Sequence, residues 1–351
     1  MKKLYLFLTI VLIILLIVHG ADAVFYVKDS LTMCCEMIIP SLFPFFVCSG
    51  ILIYSGFCSG ISKIFAPVMK PLFNINENGA SAFVLGIISG YPLGAVTACQ
   101  LYEAGYISKS ETERLLAFCN NSGPLFILGS VGIGLYGGIE IGVMLYCAHI
   151  IGAVLVGICM RGYSADKHVA PNYRLSVEEK SISEIFGMSL NNAANSMLTI
   201  CAAVVFFSVA SRLFIDIIPF EVPSFIYGIF EFSSGNKYIA EDGYNLAEKL
   251  VLSSVITGFA GLSVHMQVLS KTAAKGLSMK PYITGKIMHG LFSGAAAAVI
   301  WKIKNADFKN ISFNLSSGFT MASVYLIISI LTVTAILIIY KMILRKEKGG
   351  C

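Results

Sequence analysis

Charge is what this chain has least of. Only 13% of its 351 residues are Asp, Glu, Lys or Arg, about half the ~25% of an average soluble domain. So little polar surface cannot clothe a globule of this length, which argues against a soluble enzyme with a rich core. Cysteine chemistry is missing too. The ten cysteines include no C-x-x-C pair and no Cys/His cluster at zinc-like spacing, and Cys34 and Cys35 are adjacent. They imply neither a disulfide framework nor a metal site, and those in apolar stretches read as small buried hydrophobes. No H-E-x-x-H, G-x-S-x-G or phosphate-binding loop occurs, so no catalytic set and no cofactor is expected. A membrane-embedded enzyme ranks behind transport. No basic stripe interleaved with aromatics suggests a nucleic-acid partner.

What is present is apolar sequence. Hydrophobic residues make up 56% of the chain, with a mean hydropathy of +0.79. They fall in blocks about one bilayer span long. The expected fold is an all-α polytopic membrane protein with the lipid bilayer as its surroundings. At the amino terminus, Lys2 and Lys3 precede an apolar run over 4–18 and then Ala21-Asp22-Ala23. That reads as a signal-like segment or as a retained first helix, the latter preferred, with 24–36 forming an outer loop.

Apolar stretches follow at 37–57, 80–102, 115–135 and 139–160. After a long polar linker over 161–184 they recur at 197–218, 225–238, 250–269, 283–300 and 323–340. The connection 103–114 and the turn 74–78 are polar. The segments at 80–102 and 225–238 are interrupted, and their halves are too short to span, so each reads as a re-entrant hairpin. Those at 115–135 and 250–269 read as broken spans. The order span, hairpin, broken span, span then occurs twice, over 37–160 and 185–300. An odd number of crossings per half turns the second repeat upside down. With a helix at each terminus (1–36 and 301–351), about eight spans result. Gly86 to Ser122 and Gly228 to Ser263 are nearly the same distance apart, in keeping with a repeat.

Positive charge orients the chain. Placing both termini in the cytoplasm puts 18 of the 25 Lys and Arg residues there, counting Lys63, Lys70, Lys109, Arg114, Lys271, Lys275, Lys280 and Lys286 as loop residues. Residues 74–78 and 161–184 then share the cytoplasmic side. Lys302, Lys304 and Lys309 fall in a supposed outer loop and fit worst.

The helix interruptions carry the functional signal. Ser89 with Pro92, and Ser122 with Pro124, read as N-cap and first-turn residues of new half-helices. Open N–H groups cost several kcal/mol each in hydrocarbon, so such breaks persist beside protein or a wet cavity. With the helix dipole they favour an anion or a lone-pair group. Neither 90–94 nor 120–124 contains a Lys or Arg, so backbone donors are the expected anion contacts. Plain Gly/Pro kinks are the simpler alternative for any single break. Glu231, flanked by apolar sequence, reads as proton coupling, a substrate contact, a partner of Lys237, or a helix-end residue at the outer interface. His265 can titrate, bind solute or serve as a structural hydrogen-bonding group. Asn120 and Asn121 supply amides to a cavity or satisfy broken backbone. His149 and His289 read as packing or interhelical hydrogen bonds.

Three stretches carry a family resemblance. They are Ser89-Gly90-Tyr91-Pro92-Leu93-Gly94-Ala95, the run from Ile107-Ser108-Lys109 through Glu113-Arg114-Leu115 to Asn120-Asn121-Ser122-Gly123-Pro124, and Gly261-Leu262-Ser263-Val264-His265-Met266-Gln267. Together they resemble the YlbJ (SpoVV-type) family of sporulation membrane proteins, within the nucleoside-recognition gate superfamily. The resemblance implies a fold related to concentrative nucleoside transporters, and movement of dipicolinic acid across a forespore or cell membrane during endospore formation. Carried over by motif, it implies site positions within 90–94, 120–124, 231–235 and 263–265. With the helix breaks, the expected substrate-binding residues are Ser89, Gly90, Tyr91, Gly94, Asn120, Asn121, Ser122, Gly123, Glu231, Ser233, Ser234, Ser263 and His265, and a proton or sodium ion is the expected coupling partner. Competing readings are a permease for a nucleoside or other polar metabolite, and a scaffold of sporulation membranes.

Overall fold

A computed structural model describes residues 2–55, 57–163 and 181–305. Among these residues all regular structure is helical. The chain opens with α1 (Lys2–Val18) and α2 (Gly20–Met33), which runs through a wide turn (Cys34–Ile38) into α3 (Ile39–Tyr54). Next come α4 (Phe57–Val68), α5 (Ala80–Ser89), α6 (Leu93–Glu103) and α7 (Lys109–Cys119). A π-helical stretch, Leu125–Leu135, leads into α8 (Ile139–Met160). The remainder comprises α9 (Ile182–Asp216), α10 (Phe225–Phe230), α11 (Phe232–Glu241), α12 (Leu246–Phe259), α13 (Gly261–Thr272) and α14 (Lys280–Asn305). Among the described residues, five helical stretches are long and apolar enough to cross a membrane: Gly20–Tyr54, Ile139–Met160, Ile182–Asp216, Leu246–Lys275 and Lys280–Asn305. The chain is an all-α polytopic membrane protein.

Polar residues tie the loops together at one end of the bundle. Ser108 and Glu111 form a capping box that starts α7. The same Glu111 carboxylate accepts the Asn76 N–H at 2.7 Å. About one turn along, buried Arg114 donates to the carbonyls of Asn74 and Tyr163, each at 2.8 Å. Glu113 accepts the Ser278 N–H at 2.8 Å, and Lys275 pairs with Glu103. Residues 74–79, 103–113, 161–163 and 275–278 therefore share an end, as the charge distribution requires of 74–78 and the start of the linker. At the other end of α8 and α14, Lys304 meets Glu140 at 3.2 Å.

The segment 80–102 is a hairpin. α5 leaves the loop end and α6 returns to it, where Asn78 Nδ2 donates to the Tyr106 carbonyl at 3.4 Å. Two glycines allow the fold-back. A β carbon at Gly86 or Gly94 would overlap the Cys119 carbonyl oxygen of α7. α10 and α11 make the second hairpin, with the Tyr227 and Tyr238 rings 4.8 Å apart and Gly228 backed directly onto Gly235. Behind the first hairpin, the rings of Phe73, Phe83 and Phe118 pack at 4.6–5.4 Å.

Several sequence expectations need correction. Residues 24–33 are helix, not an outer loop, and two of their polar side chains, Tyr26 and Asp29, have partners on other helices. Tyr26 donates to Asp216 at 2.5 Å, and Asp29 bonds Arg212 of α9 at 2.7 Å and Lys237 of α11 at 2.8 Å. The polar connection before α7 ends at Ser108, so Arg114 is a buried helix residue. α9 begins at Ile182, within the expected linker, because Ser181 and Glu184 form a capping box. α14 extends to Asn305, which makes Lys302 and Lys304 helical. Lys286 is fully buried inside α14 and is no loop charge. The expected span at 323–340 and most of the linker lie outside the described residues.

Gly86→Ala is expected to destabilise the protein by about 2 kcal/mol or more, since only backbone can yield to the added carbon. Gly187→Ala, where a β carbon meets nothing within 4 Å, should be neutral or slightly stabilising. Thermal unfolding of both variants in detergent checks the contrast.

Candidate functional site

Four breaks interrupt the helices, and they meet in pairs. Between α5 and α6, Gly90 takes φ +81°, a conformation that favours glycine. A β carbon there would lie 2.6 Å from the Gly123 nitrogen, so the first break abuts the second, at 120–124. Asn120 ends α7 in extended conformation (φ −94°, ψ 91°). The third break is Glu231, also extended, between α10 and α11. The fourth is Ala260 and Gly261, both left-handed at φ 75° and 68°. A β carbon on Gly261 would come within 3.0 Å of the Phe232 nitrogen, so the third and fourth breaks also touch. Left-handed Ala260 stores strain of order 1–3 kcal/mol, the kind of conformation found at functional sites.

Three of the breaks, and the first turns of the helix that starts at the fourth, border one small cavity of about 30 Å³, room for one or two waters. The first hairpin contributes Ser89, Gly90 and Tyr91, and the second break Ser122 and Gly123. Glu231 and Ser233 come from the third break, Ser263 and Gln267 from the first turns of α13. Apolar walls come from Ile38, Leu42, Phe126, Ile200, Val204 and Phe232. Three buried polar atoms in this lining have no protein partner: Ser89 Oγ, Ser263 Oγ and Gln267 Oε1. Tyr91 spans the two hairpin systems by donating from its hydroxyl to the Thr257 carbonyl at 2.9 Å.

Each break satisfies part of its own backbone. Glu231, with none of its surface exposed, caps α11 by accepting the N–H groups of Ser233 at 3.0 Å and Ser234 at 2.6 Å. The positive end of that helix is thus already met by a carboxylate. Lys237, one of the partners expected for Glu231, bonds Asp29 instead. At the second break, the Ser122 N–H donates to His149 Nε2 at 3.0 Å. His289 Nε2 lies 2.8 Å from the His149 carbonyl oxygen and donates to it. Both histidines make the interhelical hydrogen bonds expected of them. Lys286 Nζ donates to the Asn120 carbonyl, so a basic side chain does reach a break whose own sequence has none.

Five of the residues named from the resemblance are not on the cavity wall. Gly94 is packed on α7. Asn120 offers its carbonyl to Lys286, and Asn121 turns its amide back to the Phe118 carbonyl at 2.9 Å. Ser234 bonds Ser208 of α9 at 3.0 Å. His265 Nδ1 sits 2.7 Å from the Gly261 carbonyl, its ring between Phe259 and Tyr282. Ser89 ends α5 instead of capping α6; Pro92 takes the cap position. Sequence reasoning passed over Gln267, although it closes the third motif, and Lys286, hidden by being counted as a loop charge.

Residues 35–134 match the family model described as nucleoside recognition, the Gate family. That region holds the first hairpin and the second break. The chain is 28% identical, over 313 aligned residues, to the sporulation integral membrane protein YlbJ of Bacillus subtilis (strain 168). The alignment covers 78% of this chain and 76% of that protein. No solved structure matches. The resemblance read from the three motifs is upheld, and it is to membrane and recognition proteins, not to an enzyme.

Replacing His149 by Leu leaves the Ser122 N–H buried without an acceptor, a cost of about 1–3 kcal/mol. His149→Gln should recover part of that through its amide oxygen. Thermal stability of the two variants in detergent is the measurement.

Proposed function

We propose that the chain is a permease, that the cavity where its four helix breaks meet is the solute site, and that the solute is a small organic anion, dipicolinate in an endospore-forming cell. The observation that carries this reading is the convergence itself. Three interruptions and the helix that starts at the fourth, far apart in sequence, border one buried space that presents unpartnered hydroxyl and amide oxygens. Backbone irregularity at bilayer depth is costly and is tolerated where it lines a site. A scaffold of sporulation membranes has no need of it. Similarity to a sporulation membrane protein supports the cellular setting, with the chain in a forespore or cell membrane.

The element order supports two inverted repeats, 37–160 and 185–300, within about eight spans, an arrangement similar to that of concentrative nucleoside transporters. In each half a hairpin closes on a glycine pair, Gly86 with Gly94 and Gly228 with Gly235, and its tip touches a broken span. The shared end that holds 74–79 and 161–163 is then the cytoplasmic one. A cavity of about 30 Å³ has no room for a heteroaromatic dicarboxylate, so transport requires the hairpins to part from the broken spans.

Glu231 sets a condition on this mechanism. An anion shares the cavity with a buried carboxylate only when that carboxylate carries a proton or a bound cation. Glu231 is therefore the proposed coupling residue, for a proton or sodium. The same carboxylate favours a second reading, because it can accept hydrogen bonds from a neutral nucleoside, the solute class in the description of the matching family model.

Flux into proteoliposomes of pyridine-2,6-dicarboxylate against uridine decides between these readings. The expected outcome is dicarboxylate flux that falls at least tenfold in Glu231→Gln, about 1.4 kcal/mol on the limiting step, with folding retained. Uridine flux alone would establish the nucleoside reading, and flux of neither would overturn both.

A further inference from the structure

Lys286 has no role in the site as read above. It lies on α14, outside every break, and none of its surface is exposed. Its neighbour Gly285 lets α14 approach α7 so closely that a β carbon there would lie 2.6 Å from the Ala117 oxygen. The lysine side chain is thereby driven into the second break. Its ammonium donates to the Asn120 carbonyl, lies 3.4 Å from His289 Nδ1 and sits 5.1 Å from the centre of the Tyr91 ring. His289 donates through Nε2 to His149, which leaves Nδ1 as an acceptor for Lys286. All three contacts are to uncharged groups. Among the described residues no carboxylate forms an ion pair with Lys286, whereas Asp29, Glu103 and Glu140 each pair with a base.

We propose that Lys286 is the specificity-determining charge of the solute cavity, selecting anions from behind the Asn120 carbonyl and the Tyr91 ring without touching them. This inference rests on the permease reading and adds the source of its charge preference. A structural tie for the Asn120 carbonyl needs only a hydroxyl or amide. A lysine adds a net charge whose burial is unfavourable unless a counter-charge arrives. Tyr91 is both in contact with this ammonium and part of the cavity wall, and in a dry interior the field of such a charge is weakly screened. With Glu231 on the opposite hairpin, the cavity lies between the Lys286 amine and the Glu231 carboxyl group, the latter neutralised when an anion is bound. An asymmetric anion is oriented with its charged end toward Tyr91 and Ser122.

The test is equilibrium binding of pyridine-2,6-dicarboxylate and of the matching neutral diamide to the purified full chain in detergent. Lys286→Met keeps the length and removes the charge. It is expected to lower the dicarboxylate-to-diamide affinity ratio at least tenfold. A mere packing role would not move that ratio. A wild-type preference for the dicarboxylate that persists in Lys286→Met would overturn the assignment and leave the permease reading standing. Failure of wild type to bind either compound would overturn the permease reading, and this inference with it. If Lys286→Met and Lys286→Gln both fail to fold, the ammonium is a structural tie for Asn120, and the assignment is equally overturned.

Discussion

A backbone N–H or carbonyl left open in hydrocarbon costs several kcal/mol, and four breaks interrupt the described helices. Nearly every other feature of the molecule answers that constraint. Glu231 takes two N–H groups at the start of α11, His149 takes the N–H of Ser122, and Lys286 takes the carbonyl of Asn120. These partners come from other helices or from the break itself, so the breaks are stable only in the assembled bundle. Placing the four together concentrates the unmet polarity in one cavity instead of spreading it through the membrane.

Close packing makes the assembly specific. The hairpins seat against their neighbours because Gly86, Gly94, Gly228 and Gly235 carry no side chain. Tyr91 crosses from the first hairpin to the carbonyl of Thr257 in α12, and Asn236 of the second hairpin reaches the hydroxyl of the same threonine at 3.1 Å. Thr257 thus links both hairpins to one broken span.

Charge is used sparingly and in three distinct ways. At the loop end, Arg114 and Glu111 hold chain termini of helices together through backbone contacts. The Asp29 cluster locks α2 against α9 and α11, with Arg212 also stacked 4.6 Å from the Tyr26 ring. Inside the bundle, Lys286 and Glu231 stand alone on opposite sides of the breaks.

The chain's own residues determined a great deal. Sparse charge and long apolar blocks required membrane helices, and Ser-Gly-Tyr-Pro, Asn-Asn-Ser-Gly-Pro, Glu-Phe-Ser-Ser-Gly and Gly-Leu-Ser marked the breaks, because glycine, proline and short polar side chains interrupt helices by local geometry alone. The starts of α7 and α9 were equally local, written in Ser-x-x-Glu, though the polar composition around them obscured where loop ended. Only tertiary structure could decide which atoms face one another. Lys286 looks like a loop charge until α14 is laid against α7, and Lys237 looks like a partner for Glu231 until Asp29 arrives from more than two hundred residues away. The turning of Asn121, Ser234 and His265 away from the cavity belongs to the same class. A side chain's direction depends on neighbours brought in by the fold, and no spacing along the chain encodes them.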